Sequence, residues 1–347
     1  DPEHLQALTV WQYRWLNRPQ RAQPFMPYKL TLLMLGLCFA TLASASGAPG
    51  AAGHADARST FVLLNAMTYK EMPHFGTRMP VIYESTFFQH GHLADGVSPS
   101  DEGIARAATK ARRLVGDKTW PITAQMVALD IERWGSWPFE SLAQTRRSAR
   151  LYRQTAARFK KTAELPMCFY AVFPNSGIAI STQAVRDEKY RAQWQQANKI
   201  IAHEVLETLD ILCPQLYTYY DTPGADGRQK AIDQWKRFAS DTVALARQFA
   251  PGKKVYPFIW PQFHAGGTFK DYPYVPAEYW RAQLEHLKTI ADGAILWGGY
   301  DFAHKAQQTW SPDAPWWQVL QQVFPQQTGT NTITDSAQRL PAGTQLK

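Results

Sequence analysis

Short apolar runs alternate along this chain with longer stretches whose apolar residues recur every three or four positions. Phe61-Val62-Leu63-Leu64, Val81-Ile82-Tyr83-Glu84 and Met126 to Glu132 have the length and composition of buried strands, and so do Met167 to Phe173, Ile211 to Tyr217, Val255 to Trp260 and Ala294 to Trp297. Between them the spacing predicts helices over about Asp101–Leu114, Ser141–Ala163, Thr182–Leu206, Lys230–Phe249 and Pro276–Ile290. Ser100-Asp101 caps the first of these, and Pro276 opens the last. In the Ser141–Ala163 helix Leu142, Ala149, Tyr152 and Phe159 mark the apolar face, with Arg and Lys between them on a solvated one. Gly224 and Gly227 break the chain before the Lys230 helix. Apolar strands alternating with amphipathic helices predict a parallel sheet covered by helices. No glycine-rich phosphate loop follows any strand, which speaks against a doubly wound nucleotide binder. The expected fold class is therefore α/β, a (β/α)7–8 TIM-like barrel in a single domain over residues 59–325.

The ends of the chain read differently. Met26-Pro27-Tyr28-Lys29 and the apolar stretch Leu30 to Ala45 have the pattern of a secretory signal peptide, residues 26–45, with small residues Ala43-Ser44-Ala45 for cleavage. A transmembrane anchor is the competing reading; the stretch is short, and Gly36 and the Thr/Ser/Ala end weaken it. Cys38 follows Leu37 rather than a small residue, which disfavours lipidation. Residues 1–25 read as an upstream extension, 46–58 as a flexible Ala/Gly/Pro linker and 326–347 as a disordered Gln/Thr/Gly-rich tail. The expected location is secreted or periplasmic, with no stable membrane span after processing. Only Cys168 and Cys213 then remain, both in buried strands, where two buried thiols are expected at least as much as a bridge.

Charge adds a partner class. The formal net charge is +8. The first 58 residues carry five basic and three acidic groups, so +6 belongs to the rest. That balance attracts an anionic polymer, but the basic residues are scattered over helices with no dense run, which argues against nucleic acid. Aromatic content is high, at 13 Trp, 15 Tyr and 17 Phe, which suits sugar faces as well as cores.

The strand ends collect the chemistry. In Leu129-Asp130-Ile131-Glu132 the two acids share one face of a strand, because side chains alternate. At the C-terminal end of a parallel barrel strand they would lie where barrel enzymes work. The first negative charge makes the second costlier, so one carboxyl keeps its proton near neutral pH and can protonate a leaving oxygen. The plainer alternative is a strand end whose acids cap a loop or pair with Arg133. Other strand ends carry Glu84, then Tyr217, Tyr219 and Asp221, then Trp260 with Gln262 and His264, and Trp297 with Tyr300 and Asp301. Acids and aromatics at five strand ends predict one rim that stacks sugars and holds their hydroxyls. His74, His90, His92 and His264 lack ligand spacing, so no metal and no cofactor is expected; His90-Gly91-His92 is the best pair. No G-x-S-x-G elbow supports a serine hydrolase.

Several of these segments, in order, resemble the hyaluronidase family of glycoside hydrolases. Val81-Ile82-Tyr83-Glu84 is similar to its I-F-Y strand, and Asp130-Ile131-Glu132-Arg133-Trp134 to its D-x-E-x-W segment. Phe169 to Asn175 resembles F-Y-x-F-P-D, and Leu212 to Tyr217 resembles L-Y-P-S-x-Y. Val255 to Pro261 resembles V-Y-x-Y-x-R-P, and Ala294 to Gly298 resembles G-x-x-x-W-G. The likeness spans roughly residues 60–325 and is that of a distant, bacterial-type relative. It implies Glu132 as general acid and Asp130 as the residue orienting a substrate 2-acetamido group, whose oxygen is the nucleophile. Tyr217 would support that group and Trp297 would wall the sugar pocket. The chain departs from the family at Gly177 and Gly135, where the family has Tyr and Arg, and it lacks the paired disulfides and the growth-factor-like module. A bacterial polysaccharide is thus as open a substrate as hyaluronan.

The expectation is an exported glycoside hydrolase acting on a polysaccharide, anionic or N-acetylated. Its catalytic residues would be Glu132, Asp130 and Tyr217. Its substrate-binding residues would be Trp297, Trp260, Tyr219, Asp221, Tyr170, Glu84 and Asp301. The alternatives are a carbohydrate-binding barrel without turnover, and a two-carboxylate glycosidase or transglycosylase on a sugar lacking the acetamido group. In the latter, Glu84, Asp221 or Asp301 would supply the second carboxylate.

Overall fold

The computed structural model describes residues 61–329, apart from 89–95, 135–140, 176–187, 223, 266, 270 and 303. The extension, signal-peptide and linker expectations, the His90/His92 pair, Gly135 and Gly177 lie outside the described residues.

In chain order the elements are β1 (Val62–Met67), β2 (Thr77–Arg78), β3 (Val81–Tyr83), α1 (Glu84–Phe87), α2 (Asp101–Val115), β4 (Val127–Asp130), α3 (Leu142–Ala163), β5 (Met167–Phe169) and α4 (Glu188–Val205). There follow α5 (Ala225–Phe249), β6 (Phe258–Ile259), α6 (Ala277–Ile290), β7 (Gly293–Gly298), β8 (Tyr300–Asp301), β9 (Ala306–Gln307), α7 (Pro315–Val323) and α8 (Pro325–Thr328). The protein is thus α/β, with parallel strands and intervening helices. One sheet runs β2-β1-β7-β6 and another β3-β4-β5, all pairs parallel. Isolated parallel bridges link the two sheets: Arg78 to Thr123, Tyr170 to Cys213, Leu212 to Val255 and Gln215 to Phe258. The 211–217 run therefore contributes bridges instead of a ladder, and the 255–260 run pairs regularly only at Phe258–Ile259. Pro214 and Pro257 explain this, because each removes a donor while its carbonyl still accepts, from Phe258 and Ile295 respectively.

Alternation divides the strands between two surroundings. Leu63, Val127, Leu129, Leu296 and Ile82 pack outward against helices, while Leu64, Ala128, Cys168, Phe258 and Ile295 form an inner cluster. Asp130 continues the parity of Ala128, and Trp297 that of Ile295, so both belong to the inner face. Cys168 and Cys213 lie in that inner cluster and are joined as a disulfide, with Cα atoms 6.1 Å apart, which resolves the open alternative. They stand on adjacent bridged segments, so their side chains meet on one face.

The helices begin largely where the caps predict. The hydroxyls of Ser100 and Ser141 accept from the Gly103 and Gln144 amides at 3.2 and 3.1 Å. Leu142, expected on the buried face of α3, is instead 44% exposed, because it sits in the first turn beyond the packed stripe of Ala149, Tyr152 and Phe159. α5 starts at Ala225, earlier than expected. Gly224, at φ 87°, is its N-cap, whereas Gly227 lies inside the helix; a Cβ there would meet the Thr222 side chain at 2.7 Å. The Gly227 break is thus a close approach rather than a boundary. The disordered tail was expected from 326, yet α8 is ordered to Thr328. The Gln327 side chain accepts from the Leu63 amide at 2.8 Å and donates to the Phe61 carbonyl at 3.0 Å. It completes the start of β1 on the side facing β2, whose pairing with β1 begins only at Leu64. The β8–β9 hairpin had no strong sequence signal, each strand being two residues long.

Candidate active site

β4 stops pairing at Asp130, opposite Tyr83 of β3. Its next inward side chain is Glu132, and the two carboxyls hydrogen-bond to each other. Asp130 is 8% exposed, while Glu132 remains partly accessible. Burial pushes the Asp130 carboxyl up to about 7, eased by the bond from Glu132 and reinforced by the charge of Glu84. Burial also drives Glu132 well above the usual carboxylate range, followed by the charge and hydrogen bond of Asp130 and the charge of Glu84. The pair therefore shares a proton at neutral pH. Asp130 Oδ1 is buried and accepts no hydrogen bond, leaving an acceptor aimed at nothing within the protein.

Aromatic rings wall this pair. Trp297, at the end of β7, donates from Nε1 to the Tyr83 hydroxyl at 3.1 Å. Its indole stacks on Tyr217 at 5.8 Å and meets Trp260 edge-on at 5.0 Å. Tyr217 lies 5.9 Å from Tyr170, and the two phenols are hydrogen-bonded. Gln215 bridges the floor: its amide donates to Tyr170, and its carbonyl accepts from the Tyr219 hydroxyl at 2.8 Å. Burial raises the Tyr83, Tyr170, Tyr217 and Tyr219 phenols, which stay neutral donors; both carboxyls push the first three further, and Glu132 pushes Tyr219. Phe302 packs on Trp297 at 6.1 Å and on Tyr272 at 4.8 Å. The wall can close behind the Trp because Gly298 and Gly299 take φ 148° and 96°; a Cβ on Gly299 would come within 2.4 Å of the Tyr69 amide.

The structure thus brings Asp130, Glu132, Tyr170, Tyr217, Tyr219, Trp260 and Trp297 together. It does not bring all the other expected side chains with them. Asp221 is held by the Arg228 guanidinium at 2.8 Å, and Arg228 also binds Glu278. That pairing spends the Asp221 carboxylate on the start of α5. Asp301 pairs with His304 at 2.8 Å within the β8–β9 hairpin. Glu84, expected to bind substrate, instead accepts from Arg133 at 2.9 Å and from backbone amides beyond β4. Arg133 therefore pairs with Glu84 and leaves the Asp130–Glu132 pair intact. Sequence reasoning missed Tyr83, Gln215, Tyr272 and Phe302 as wall and floor. Tyr83 and Gln215 were legible, since each shares strand parity with an inner residue; Tyr272 and Phe302 come from loops and carried no such signal. Among the described residues no group of three or more His, Cys, Asp or Glu could hold a metal ion, and no helix is long and apolar enough to cross a membrane.

No protein-family model matches the chain, and no curated protein matches it. Among solved structures, bee venom hyaluronidase is similar at 15% identity and a TM-score of 0.48, covering 69% of this chain and 91% of that one. Bee venom hyaluronidase in complex with a hyaluronic acid tetramer is similar at 18% identity and a TM-score of 0.43, covering 63% and 78%. Overlap at this level leaves the site's own chemistry to carry the functional reading.

Proposed function

We propose that this protein is a glycoside hydrolase that cleaves a polysaccharide bearing 2-acetamido sugars. The observation that carries the reading is the hydrogen-bonded Asp130–Glu132 pair with its shared proton, set under an aromatic wall. Two-carboxylate glycosidases separate their acids by about 5–5.5 Å when retaining and about 6.5–9.5 Å when inverting. Carboxyls that hydrogen-bond directly are too close to flank a glycosidic bond from opposite faces. Asp221 and Asp301 are engaged with Arg228 and His304, and Glu84 with Arg133, so none of these three expected carboxylates stands ready as nucleophile. A nucleophile carried by the substrate meets that need.

In the proposed reaction Glu132 gives its proton to the glycosidic oxygen as the C1–O bond breaks. The acetamido oxygen forms the new bond to C1. The Asp130 carboxyl takes the acetamido N–H and balances the positive charge that develops on the resulting oxazolinium ring. Water then attacks C1, its proton passes to the Glu132 carboxylate, and the acetamido group is restored. Tyr217 and Tyr170 line the pocket as neutral donors, and Trp297 and Trp260 present apolar faces to the sugar ring.

The frame we infer is a (β/α) barrel. Its support is a circuit in which β1 pairs with β2, the chain runs on through Met79-Pro80 into β3, and parallel pairings and bridges then lead through β4, β5, residues 211–217, β6 and β7 back to β1. Export is proposed as well, with cleavage after residues 26–45. The Cys168–Cys213 disulfide supports it, since such bonds persist in oxidising compartments. Intact mass of protein recovered from periplasm or medium tests the processing.

The activity test is purified protein incubated with hyaluronan, chondroitin, chitin-type polymers and neutral glucans, read by new reducing ends. Release from an N-acetylated polymer and none from neutral glucans is expected. Cleavage confined to neutral glucans would overturn the substrate-assisted mechanism, and binding without cleavage of any polymer would overturn hydrolysis.

A further inference from the structure

β4 ends at Asp130, so no ladder positions the residue that follows two places later. Side chains from two other elements hold this backbone instead. From α1, Glu84 Oε2 accepts from the amides of Glu132 at 3.1 Å and Arg133 at 2.9 Å, while its Oε1 accepts from Arg133 Nη2 at 2.9 Å. From α3, the Tyr152 hydroxyl donates to the Ile131 carbonyl at 2.7 Å and approaches the Trp134 carbonyl at 3.3 Å. The Arg133 guanidinium is sandwiched between this carboxylate and the Phe88 ring, 3.6 Å from its centroid. Charge-assisted bonds to two successive amides fix the peptide on either side of Glu132, and the phenol fixes the opposite edge.

We propose that Glu84 and Tyr152 are positioning residues for the acid Glu132, gripping residues 131–134 from opposite edges so that its carboxyl meets Asp130. This rests on the reading of Glu132 as general acid. Glu84 has a second action that Tyr152 lacks. Its negative charge lies close enough to raise both members of the pair, and so helps Glu132 keep its proton. The titratable and charged groups around Glu132 are Asp130, Glu84 and Arg133, together with phenols from four elements: Tyr83, Tyr152, Tyr170, and the Tyr217 and Tyr219 pair. The phenols are all held neutral across the working range, which leaves Glu84 and its partner Arg133 as the charges beside the pair itself.

The test compares Glu84→Gln, Glu84→Ala, Tyr152→Phe and Glu132→Gln in the full chain, reading kcat, KM, the pH profile of kcat/KM and Tm. Glu84→Gln keeps an oxygen for the two amides but loses the charge. Its alkaline limb should move to lower pH by half a unit or more, with kcat down ~10-fold. Glu84→Ala loses the grip too and should fall ~10²-fold, the cost of a small misplacement at the reacting centre. Tyr152→Phe should lower kcat with KM and the pH limbs unmoved, because no charge changes. If Glu132→Gln turns over like wild type, the reading of Glu132 has failed. If Glu132→Gln is inactive while Glu84→Gln or Tyr152→Phe stays within twofold of wild type from pH 4 to 9, the positioning proposal alone is wrong. A fall in Glu84→Gln with an unmoved alkaline limb likewise overturns the role given to its charge.

Discussion

Asp130→Asn should make this protein more stable in alkaline solution while damaging its activity. In the native chain the Asp130 carboxyl is buried and raised to about 7, from an ordinary value of 3.8. A carboxyl raised on folding holds its proton longer in the folded than in the unfolded state. Its stabilising effect is complete below the unfolded value and is lost as pH climbs through the folded one. Each pKa unit is worth about 1.4 kcal/mol, so the three-unit rise corresponds to roughly 4 kcal/mol lost between pH 4 and pH 8. Asn has the same shape and can still accept from Glu132, but it never ionises. The stability gap between variant and wild type should therefore be small near pH 4 and widen by roughly 4 kcal/mol by pH 8, a Tm difference of ~8–15 °C for a domain of this size. Glu132, raised in the same direction, gives Glu132→Gln a gap of the same sign. The assay is thermal and urea unfolding of the three proteins at half-unit steps from pH 4 to 9. A gap that does not change with pH would refute the burial and coupling assigned to this pair.

Glu132→Gln should lower kcat by ~10²–10⁴ on any N-acetylated polymer the enzyme cuts, leave sugar binding by the Trp and Tyr wall intact, and matter least for aryl glycosides whose leaving group needs no proton; steady-state kinetics with both substrate types checks it. Replacing Cys168 and Cys213 with Ala opens a cross-link spanning 45 residues, a loop whose closure is worth about 4 kcal/mol, so Tm should fall by ~8–15 °C on calorimetry, and by the same amount on reduction of the wild type. Gly267→Ala would place a Cβ within 1.6 Å of the Tyr219 carbonyl and so displace the loop carrying His264, whose ring lies 4.8 Å from Tyr219; KM should rise several-fold with kcat less affected.

The sequence by itself determined the class of the fold and the place of the Asp130–Glu132 pair. Strand and helix periods are local, so alternating apolar runs and amphipathic stretches were enough to predict parallel strands with intervening helices. The period of two in Ala128-Leu129-Asp130-Ile131-Glu132 put both acids on one face, and the strand pattern put Trp297 and Tyr217 at strand ends. What a carboxylate does at a strand end depends on which neighbour its side chain meets, and only the tertiary structure decided it. Asp221, Asp301 and Glu84 looked equivalent to Asp130 in the sequence. Arg228, His304 and Arg133 claim them, and of these Arg133 reaches Glu84 across 49 positions of chain. The disulfide was undecided for the same reason, since whether two buried cysteines meet depends on which strands become neighbours. Proline shortened the regular pairing at 211–217 and 255–260 without removing the strands, because carbonyls go on accepting where the donor is gone. The raised proton affinity of Glu132 comes from burial and from two other negative groups, one of them on α1, and no spacing within the D-x-E segment contains that neighbour.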